Sequence, residues 1–433
     1  MMLKARKGEK GIAIYDSSPK RAVDFNLDIK ETTWEIIQAI KKYGQEGAVK
    51  KIMKLFDIDE QNAKEDIQIV LTNLKTLDIR LEDIPEKVIE SKYAPRTVQF
   101  DITPRCNSRC IYCLSADLMA HGKDLPTEKI LETIKKLNDL DMISFVVSGG
   151  EPFLRKDIFE IFDYAENLKV QTWVFTNALL IDDKTAKRLA AYKYLGVQIS
   201  LDSSNPAHHD CQRGVPGGFE KTVAGIRNLI KYGKPPMVAI TITPTNYEDL
   251  EETVSFLNKL GVKLLRISTV WLGAGRGEKN KDKVNLPLDK IKLLGKRIIE
   301  MNNQYKGTMN FSASPNMFDF TKNPELAGSA EIGCDAGKEN LYITSNGDIF
   351  PCYVLAYSEF KAGNILNDDI TEVWKNSKIF EMFRNMSVKD FDKCKNCKFV
   401  KDCEGGCRGS AYSYFKSLTA YDPVRCSYFN NPK

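Results

Sequence analysis

The distribution of cysteine constrains this 433-residue chain more than any other feature. Of its eleven cysteines, Cys106, Cys110 and Cys113 share one short stretch and Cys211 stands alone. The other seven, Cys334, Cys352, Cys394, Cys397, Cys403, Cys407 and Cys426, all follow residue 333. The N-terminus, MMLKARKGEKGIAIYDSS, has no long apolar stretch behind its lysines, which argues against a secretory signal. No apolar run approaches the roughly 18–20 residues needed to span a bilayer, so no membrane partner is expected. A cytoplasmic setting follows. Disulfides are disfavoured there, and clustered thiols point to metal or redox chemistry. The net charge of +5, from 63 basic against 58 acidic residues, gives no case for nucleic acid as the main partner.

The fold class expected is α/β. Residues 1–82 read as a small α+β unit. Gly11–Tyr15 and Ala22–Leu27 look like strands around a turn at Ser17-Ser18-Pro19. Trp34, Ile37, Ile40 and Tyr43 follow at helical spacing, and a last helix, capped by Asp59, carries Ala63, Ile67, Val70, Leu74 and Leu77. Residues 83–95 form a linker between Pro85 and Pro95. From 96 to 310, strand candidates at Thr97–Ile102, Ile143–Ser148, Val170–Thr176, Gly196–Leu201, Val238–Thr243 and Lys263–Val270 alternate with amphipathic helices. That alternation predicts a parallel sheet with helical crossovers, and six units predict a partial (β/α)6 barrel. Residues 311–333 are a poorly patterned connector, and 334–433 a cysteine-rich tail.

Cys106-Asn-Ser-Arg-Cys110-Ile-Tyr-Cys113 directly follows the first barrel strand. Three thiolates on one loop can bind three irons of a cubane and leave the fourth iron free to chelate a small molecule. An incomplete zinc site is the bland alternative. Ser148-Gly149-Gly150-Glu151-Pro152 ends the second strand. Its glycines permit close approach of a ligand to the backbone, and Glu151 can accept an ammonium group. Chemistry in parallel barrels gathers at such strand ends.

This pairing of CxxxCxxC with Gly-Gly-Glu-Pro resembles the radical S-adenosylmethionine (SAM) superfamily. The resemblance implies SAM chelated at an open iron held by Cys106, Cys110 and Cys113, with the Gly-Gly-Glu-Pro segment at its amino group. It assigns Tyr112 to the adenine, and Asn177, Ser200 and Asp202 to strand-end polar contacts. Ala178 stands where the family often has glycine. Arg213 belongs to a loop, His209-Asp210-Cys211-Gln-Arg213-Gly214, common in the relevant subfamily. Cys211 matches no ligand position there and reads as a bystander. His121, His208 and His209 read as residues of solvated loops.

The tail, Cys334-x12-Gly347-x4-Cys352 followed by Cys394, Cys397, Cys403, Cys407 and Cys426, resembles the SPASM extension of these enzymes. A zinc ribbon would leave three cysteines unused. The resemblance implies two auxiliary 4Fe–4S clusters, hence three in all. Cys394, Cys397, Cys403 and Cys426 would hold one. Cys334, Cys352 and Cys407 would hold the other, with an open iron for a substrate thiolate, or with Asp335 or Asp348 as fourth ligand.

Residues 1–82 resemble, more loosely, the winged-helix PqqD-like element that recognises precursors of ribosomally made, post-translationally modified peptides. A sheet edge suits a leader peptide added as a strand; a winged-helix DNA binder or a purely stabilising domain are the alternatives. The implied activity is hydrogen abstraction from a precursor peptide by a 5′-deoxyadenosyl radical, installing a Cys thioether, with a flavodoxin- or ferredoxin-type electron donor. Carbon–carbon cross-linking, epimerisation, decarboxylation, sulfatase maturation and tetrapyrrole modification are the competing activities. A non-enzymatic electron carrier or zinc regulator is the competing class, and neither has a use for the Gly-Gly-Glu-Pro contact.

Overall fold

The computed structural model describes residues 3–8, 11–16, 26–76, 79–90, 94–314 and 333–429. It divides into two compact units, Met1–Ala94 and Pro95–Lys433.

The first unit has a four-stranded sheet of order β3-β2-β1-β4. Its strands are β1 (Leu3–Gly8), β2 (Gly11–Asp16), β3 (Asn26–Ile29) and β4 (Val88–Glu90). β1 lies in a segment not read as a strand, and β4 in the stretch read as a linker, where it pairs parallel to β1. The expected turn at Ser17-Ser18-Pro19 lies outside the described residues, as does Leu77. Helix Glu31–Phe56 buries Trp34, Ile37 and Ile40 against Ile12 and Ile14. Tyr43, placed on that face by spacing, is instead exposed. Gly44, next to it, leaves the helical region (φ 68°, ψ 176°), so the kink interrupts the stripe, which resumes at Ala48 and Ile52. Helix Glu60–Thr76 is capped as expected: Asp59 Oδ1 accepts from the Asn62 N–H at 2.8 Å.

In the second unit the six expected strands form within a residue or so of their predicted bounds. They are β5 (Thr97–Asp101), β6 (Ser144–Ser148), β7 (Gln171–Thr176), β8 (Leu195–Ser200), β9 (Met237–Ile242) and β10 (Leu264–Thr269). All are parallel. The sheet does not stop at six. β11 (Asn310–Ala313), at the start of the presumed connector, pairs parallel to β10. From the cysteine-rich tail, β12 (Asn340–Ile343) pairs parallel to β5, and β13 (Asp348–Phe350) and β14 (Gly363–Asn364) continue antiparallel. The sheet is therefore ten-stranded, β11-β10-β9-β8-β7-β6-β5-β12-β13-β14. Gly347, at φ +83°, makes the turn between β12 and β13, where a left-handed residue is needed.

The two faces differ. Val98, Phe100, Val147, Val197, Ile199, Ile240 and Ile267 are fully buried with helix residues such as Ile134, Ile161, Ile226, Leu257 and Ile298 in one continuous core. Alternate residues, including Gln99, Trp173, Phe175, Ser200, Ala239 and Thr241, are only partly buried. Period-two alternation thus leaves an accessible inner face opposite the helices. That face leads to the strand ends described next.

Candidate active site

The cysteine loop is fastened to neighbouring strand ends through its backbone. At the end of β6, the Gly150 N–H donates to Thr103 O at 2.8 Å and the Glu151 N–H to Arg105 O at 2.7 Å. The last turn of helix Pro206–Arg213, beyond β8, accepts from the other side: Arg109 N–H to Arg213 O and Ile111 N–H to Gln212 O, both at 2.9 Å. After β10, Arg276 donates through Nε to Cys110 O at 2.8 Å and through its N–H to Cys113 O at 2.9 Å, while Asn280 Nδ2 holds Ile111 O. Asn177, past β7, donates to Asn107 Oδ1 at 2.7 Å and Ser108 Oγ at 3.0 Å.

The glycines serve this packing first. A Cβ on Gly150 would stand 2.0 Å from Arg105 O, and one on Gly149, whose φ is +131°, 2.5 Å from Thr103 O. Gly275 is similarly close to Cys113 O, at 2.3 Å. What approaches the Gly149-Gly150 backbone in this structure is the cysteine loop. Packing against that loop is thus a reason for both glycines that the sequence did not reveal.

Glu151 is 1% exposed. It accepts from Thr176 Oγ1 at 2.8 Å, the Asn177 N–H at 2.8 Å and the Phe153 N–H at 3.2 Å. Burial pushes its carboxyl up to about 7, against the pull of these donors. An ionised carboxylate has about four acceptor sites, so capacity for one further donor remains. Pro152 starts the short turn Pro152–Leu154, and Ser148 donates to Asp101 at 2.6 Å. Tyr342 of β12 also donates to Asp101, at 2.6 Å, tying the tail to the same strand end.

Asp202, buried at the end of β8, pairs with Arg213 Nε at 2.8 Å and accepts from Tyr112 OH at 2.5 Å and the Thr241 N–H at 3.0 Å. Arg213 also reaches Cys110 Sγ at 3.5 Å, and its guanidinium lies 5.5 Å from the centroid of the Tyr112 ring. Ser200 is half-buried on the inner face of β8. The expected residues Tyr112, Ser148, Glu151, Asn177, Asp202 and Arg213 thus come together around one loop.

His209 corrects an expectation. It is 1% exposed and accepts the Asp202 N–H at Nδ1, 3.2 Å away, instead of lying in a solvated loop. Burial pushes it down to about 4. His208 sits beside Asp249, at 2.5 Å, and His121 is exposed. Cys211 is exposed on helix Pro206–Arg213. The Arg276 and Asn280 clamp was missed, although Gly273-Ala-Gly275-Arg-Gly277 is a turn signal.

Several tail thiols feel one another's charge: Cys334 acts on Cys352, both act on Cys407, and Cys394 responds to Cys426 and Cys397. Asp335 acts on Cys334 and Cys352, whereas Asp348 is engaged by Asn364 and Lys361, at 2.6 and 2.5 Å. Asp422, 1% exposed, joins the segments: it accepts from the Cys407 N–H at 2.9 Å, Ser410 Oγ at 2.7 Å and the Arg425 N–H at 3.2 Å.

The donor set at the loop and in the tail is made of cysteine thiols, which suits iron–sulfur clusters. Among the described residues, no three His, Cys, Asp or Glu side chains converge closely enough to hold one metal ion. Cubane ligands bind different irons and stand farther apart than the ligands of one ion. Arginine charge also accompanies the thiols: Arg213 at Cys110, Arg276 at Cys113, Arg408 at Cys334 and Cys394, and Arg425 at Cys403. Burial raises the thiols (Cys352 to about 12), so a buried set ionises only with such positive charge and a metal beside it.

Fold and site together define an α/β protein whose cysteines gather at the strand ends of a parallel sheet and in a tail that continues the same sheet. Residues 100–257 match the radical SAM superfamily, and residues 334–398 match the SPASM iron–sulfur cluster-binding domain. The chain is an enzyme with radical SAM chemistry, carrying a SPASM domain. It is 28% identical over 333 residues to the AdoMet-dependent heme synthase of Methanosarcina barkeri, covering 74% of this chain and 93% of that protein. It is 29% identical over 333 residues to the mycofactocin maturase MftC of Mycobacterium tuberculosis, covering 76% and 82%. Its fold is similar to that of Streptococcus suis SuiB bound to SAM, with TM-score 0.71 over 98% of each chain at 22% identity.

Two outcomes follow. Gly150→Ala drives the Arg105 carbonyl, and the loop with it, outward. Formation of 5′-deoxyadenosine under reductant, measured by chromatography, falls about a hundred-fold, because ångström-scale misplacement carries that cost; a wild-type rate contradicts the packing. The lowered His209 pKa means the unfolded chain binds the proton more tightly. Stability is full above the ordinary value of 6.5 and is lost as pH falls toward 4. The full loss is about 3 kcal/mol, of which about 2 kcal/mol falls between pH 7 and pH 5, and His209→Gln flattens that difference in urea unfolding at the two pH values. An unchanged profile in the variant contradicts the buried placement.

Proposed function

We propose that this enzyme modifies a ribosomally made precursor peptide, with residues 1–82 acting as a PqqD-like element that binds the leader. Met1–Ala94 is a compact unit with its own core, and its sheet ends in β3 and β4, each with one strand neighbour among the described residues. That unit is the observation that carries the reading, because an open sheet edge can accept an extended peptide as a further strand. Relatives named mycofactocin maturase and PqqA peptide cyclase, the latter from Rhizobium meliloti, support it.

In this reading Cys106, Cys110 and Cys113 hold the cluster that engages SAM. Cys394, Cys397, Cys403 and Cys426 hold one auxiliary cluster, and Cys334, Cys352 and Cys407 the other. When bound, cluster and SAM together supply one-electron reductive cleavage of the sulfonium, giving methionine and a 5′-deoxyadenosyl radical. The chain's own residues position and exclude. Glu151 uses its remaining acceptor capacity on the SAM ammonium. Tyr112, Asn177, Ser200, Asp202 and Arg213 shape the polar side of the site, with Ser148, Gly149, Gly150 and Pro152 setting the backbone. The helix-covered core closes the opposite face of the sheet to water.

The product we assign is a Cys thioether: the peptide C–H hydrogen ends in 5′-deoxyadenosine, the Cys S–H proton goes to solvent and one C–S bond forms, with SAM, cleaved to methionine and 5′-deoxyadenosine, as the two-electron oxidant. A flavodoxin- or ferredoxin-type partner supplies the electron that starts the cleavage and takes back the one left over. A tetrapyrrole substrate is the second reading, favoured by the similarity to the heme synthase. Anaerobic reconstitution with the precursor encoded beside the gene separates them. About twelve irons per chain, 5′-deoxyadenosine formation and a peptide about two daltons lighter are expected, with alkylation of the peptide cysteines abolishing the change. An unaltered peptide and turnover of a porphyrin would overturn the peptide reading.

A further inference from the structure

Among the described residues of the inner face, one cation stands out. Asp101 is held by Ser148 and Tyr342, and Asp202 by Arg213, Tyr112 and the Thr241 N–H. Arg266, in the interior of β10, is exposed although Leu264, Leu265 and Ile267 around it are buried. No hydrogen bond or carboxylate partner joins its guanidinium among the described residues. A strand in the interior of a parallel sheet ordinarily carries apolar residues, so an unpaired cation there needs another reason.

Its surroundings supply one. The residues in register with it on the two neighbouring strands are Ala239 and Ser312, both small, which leaves room over the strand. Arg266 therefore stands on the open inner face of the sheet, between Ala239 and Ser312 in register. It is fixed by strand pairing and has guanidinium donors to spare.

We propose that Arg266 anchors a carboxylate of the substrate, which makes the substrate acidic at or near the position that reacts. A guanidinium offers paired donors in the geometry a carboxylate accepts. The assignment deepens the peptide reading and rests on it for the identity of the molecule. In a peptide the carboxylate is an Asp or Glu side chain, or the C-terminus.

The test uses the full-length protein reconstituted with iron and sulfide, with SAM present. Propionate and propionamide, which differ in charge and little in shape, are the first probes; proton relaxation by the paramagnetic protein reports their approach. Propionate is expected to relax several-fold faster than propionamide with wild type and with R266K, and like propionamide with R266Q. Equal relaxation of the two probes by the wild type, or a wild-type response in R266Q, overturns the proposal. The second probes are acetyl-Ala-Ala-Glu-Ala-Ala-amide and its Gln counterpart. A preference of roughly ten-fold for the Glu peptide in wild type, absent in R266Q, supports both readings, since that is the scale of a charge-assisted contact. A propionate response with neither peptide bound keeps the anchor and counts against the peptide substrate.

Discussion

The structure depends on the backbone of one loop being held from several sides at once. Residues 103–113 carry three thiols and little regular structure, yet their amides and carbonyls are paired with groups beyond β6, β8 and β10. An unpaired buried backbone group costs free energy comparable to a lost hydrogen bond, so each pairing both stabilises the loop and fixes its register. The consequence is preorganisation. The thiols are placed by the sheet, and the side chains that surround a ligand are placed by the same bonds.

Charge is managed by the same economy of position. Arg213 connects Asp202, the Tyr112 ring and Cys110, so the polar pocket and the cluster loop share one cation. In the tail, Arg408 is 1% exposed and donates to the carbonyls of Leu418, Ala420 and Gly405 while its charge reaches two cysteine sets. Buried guanidinium groups are costly unless anionic charge accompanies them, and thiolate-bound clusters supply such charge. Asp422, inserted between the Cys407 segment and the helix Pro423–Phe429 that carries Cys426, couples the two tail sets mechanically.

Much of this was legible in the sequence wherever a local pattern determines local structure. The six strands β5–β10 announce themselves by alternation and flanking helices. The grouping of Cys334 and Cys352 with the distant Cys407 came from the resemblance to the SPASM extension, since no local pattern links them; in the structure Cys334 and Cys352 both act on the Cys407 thiol. Long-range pairing was not legible. β12 joins β5 across more than two hundred residues of chain, and β11 has only four residues. His209 looked solvated because its immediate neighbours are polar, whereas its burial comes from the strand end and Phe219 folding over it. The glycines of Gly149-Gly150 were recognised as close-approach positions, but the approaching backbone is that of residues 103–105.

Preorganisation of the cysteine loop is best measured by amide hydrogen exchange on the iron-free protein, followed by mass spectrometry across residues 103–113 and 149–151. The account predicts slow exchange at Arg109, Ile111, Gly150 and Glu151 without metal, comparable to the strand β6 they adjoin, and little further slowing after reconstitution. Free exchange of those amides in the iron-free chain, with protection gained only on metal loading, would contradict it.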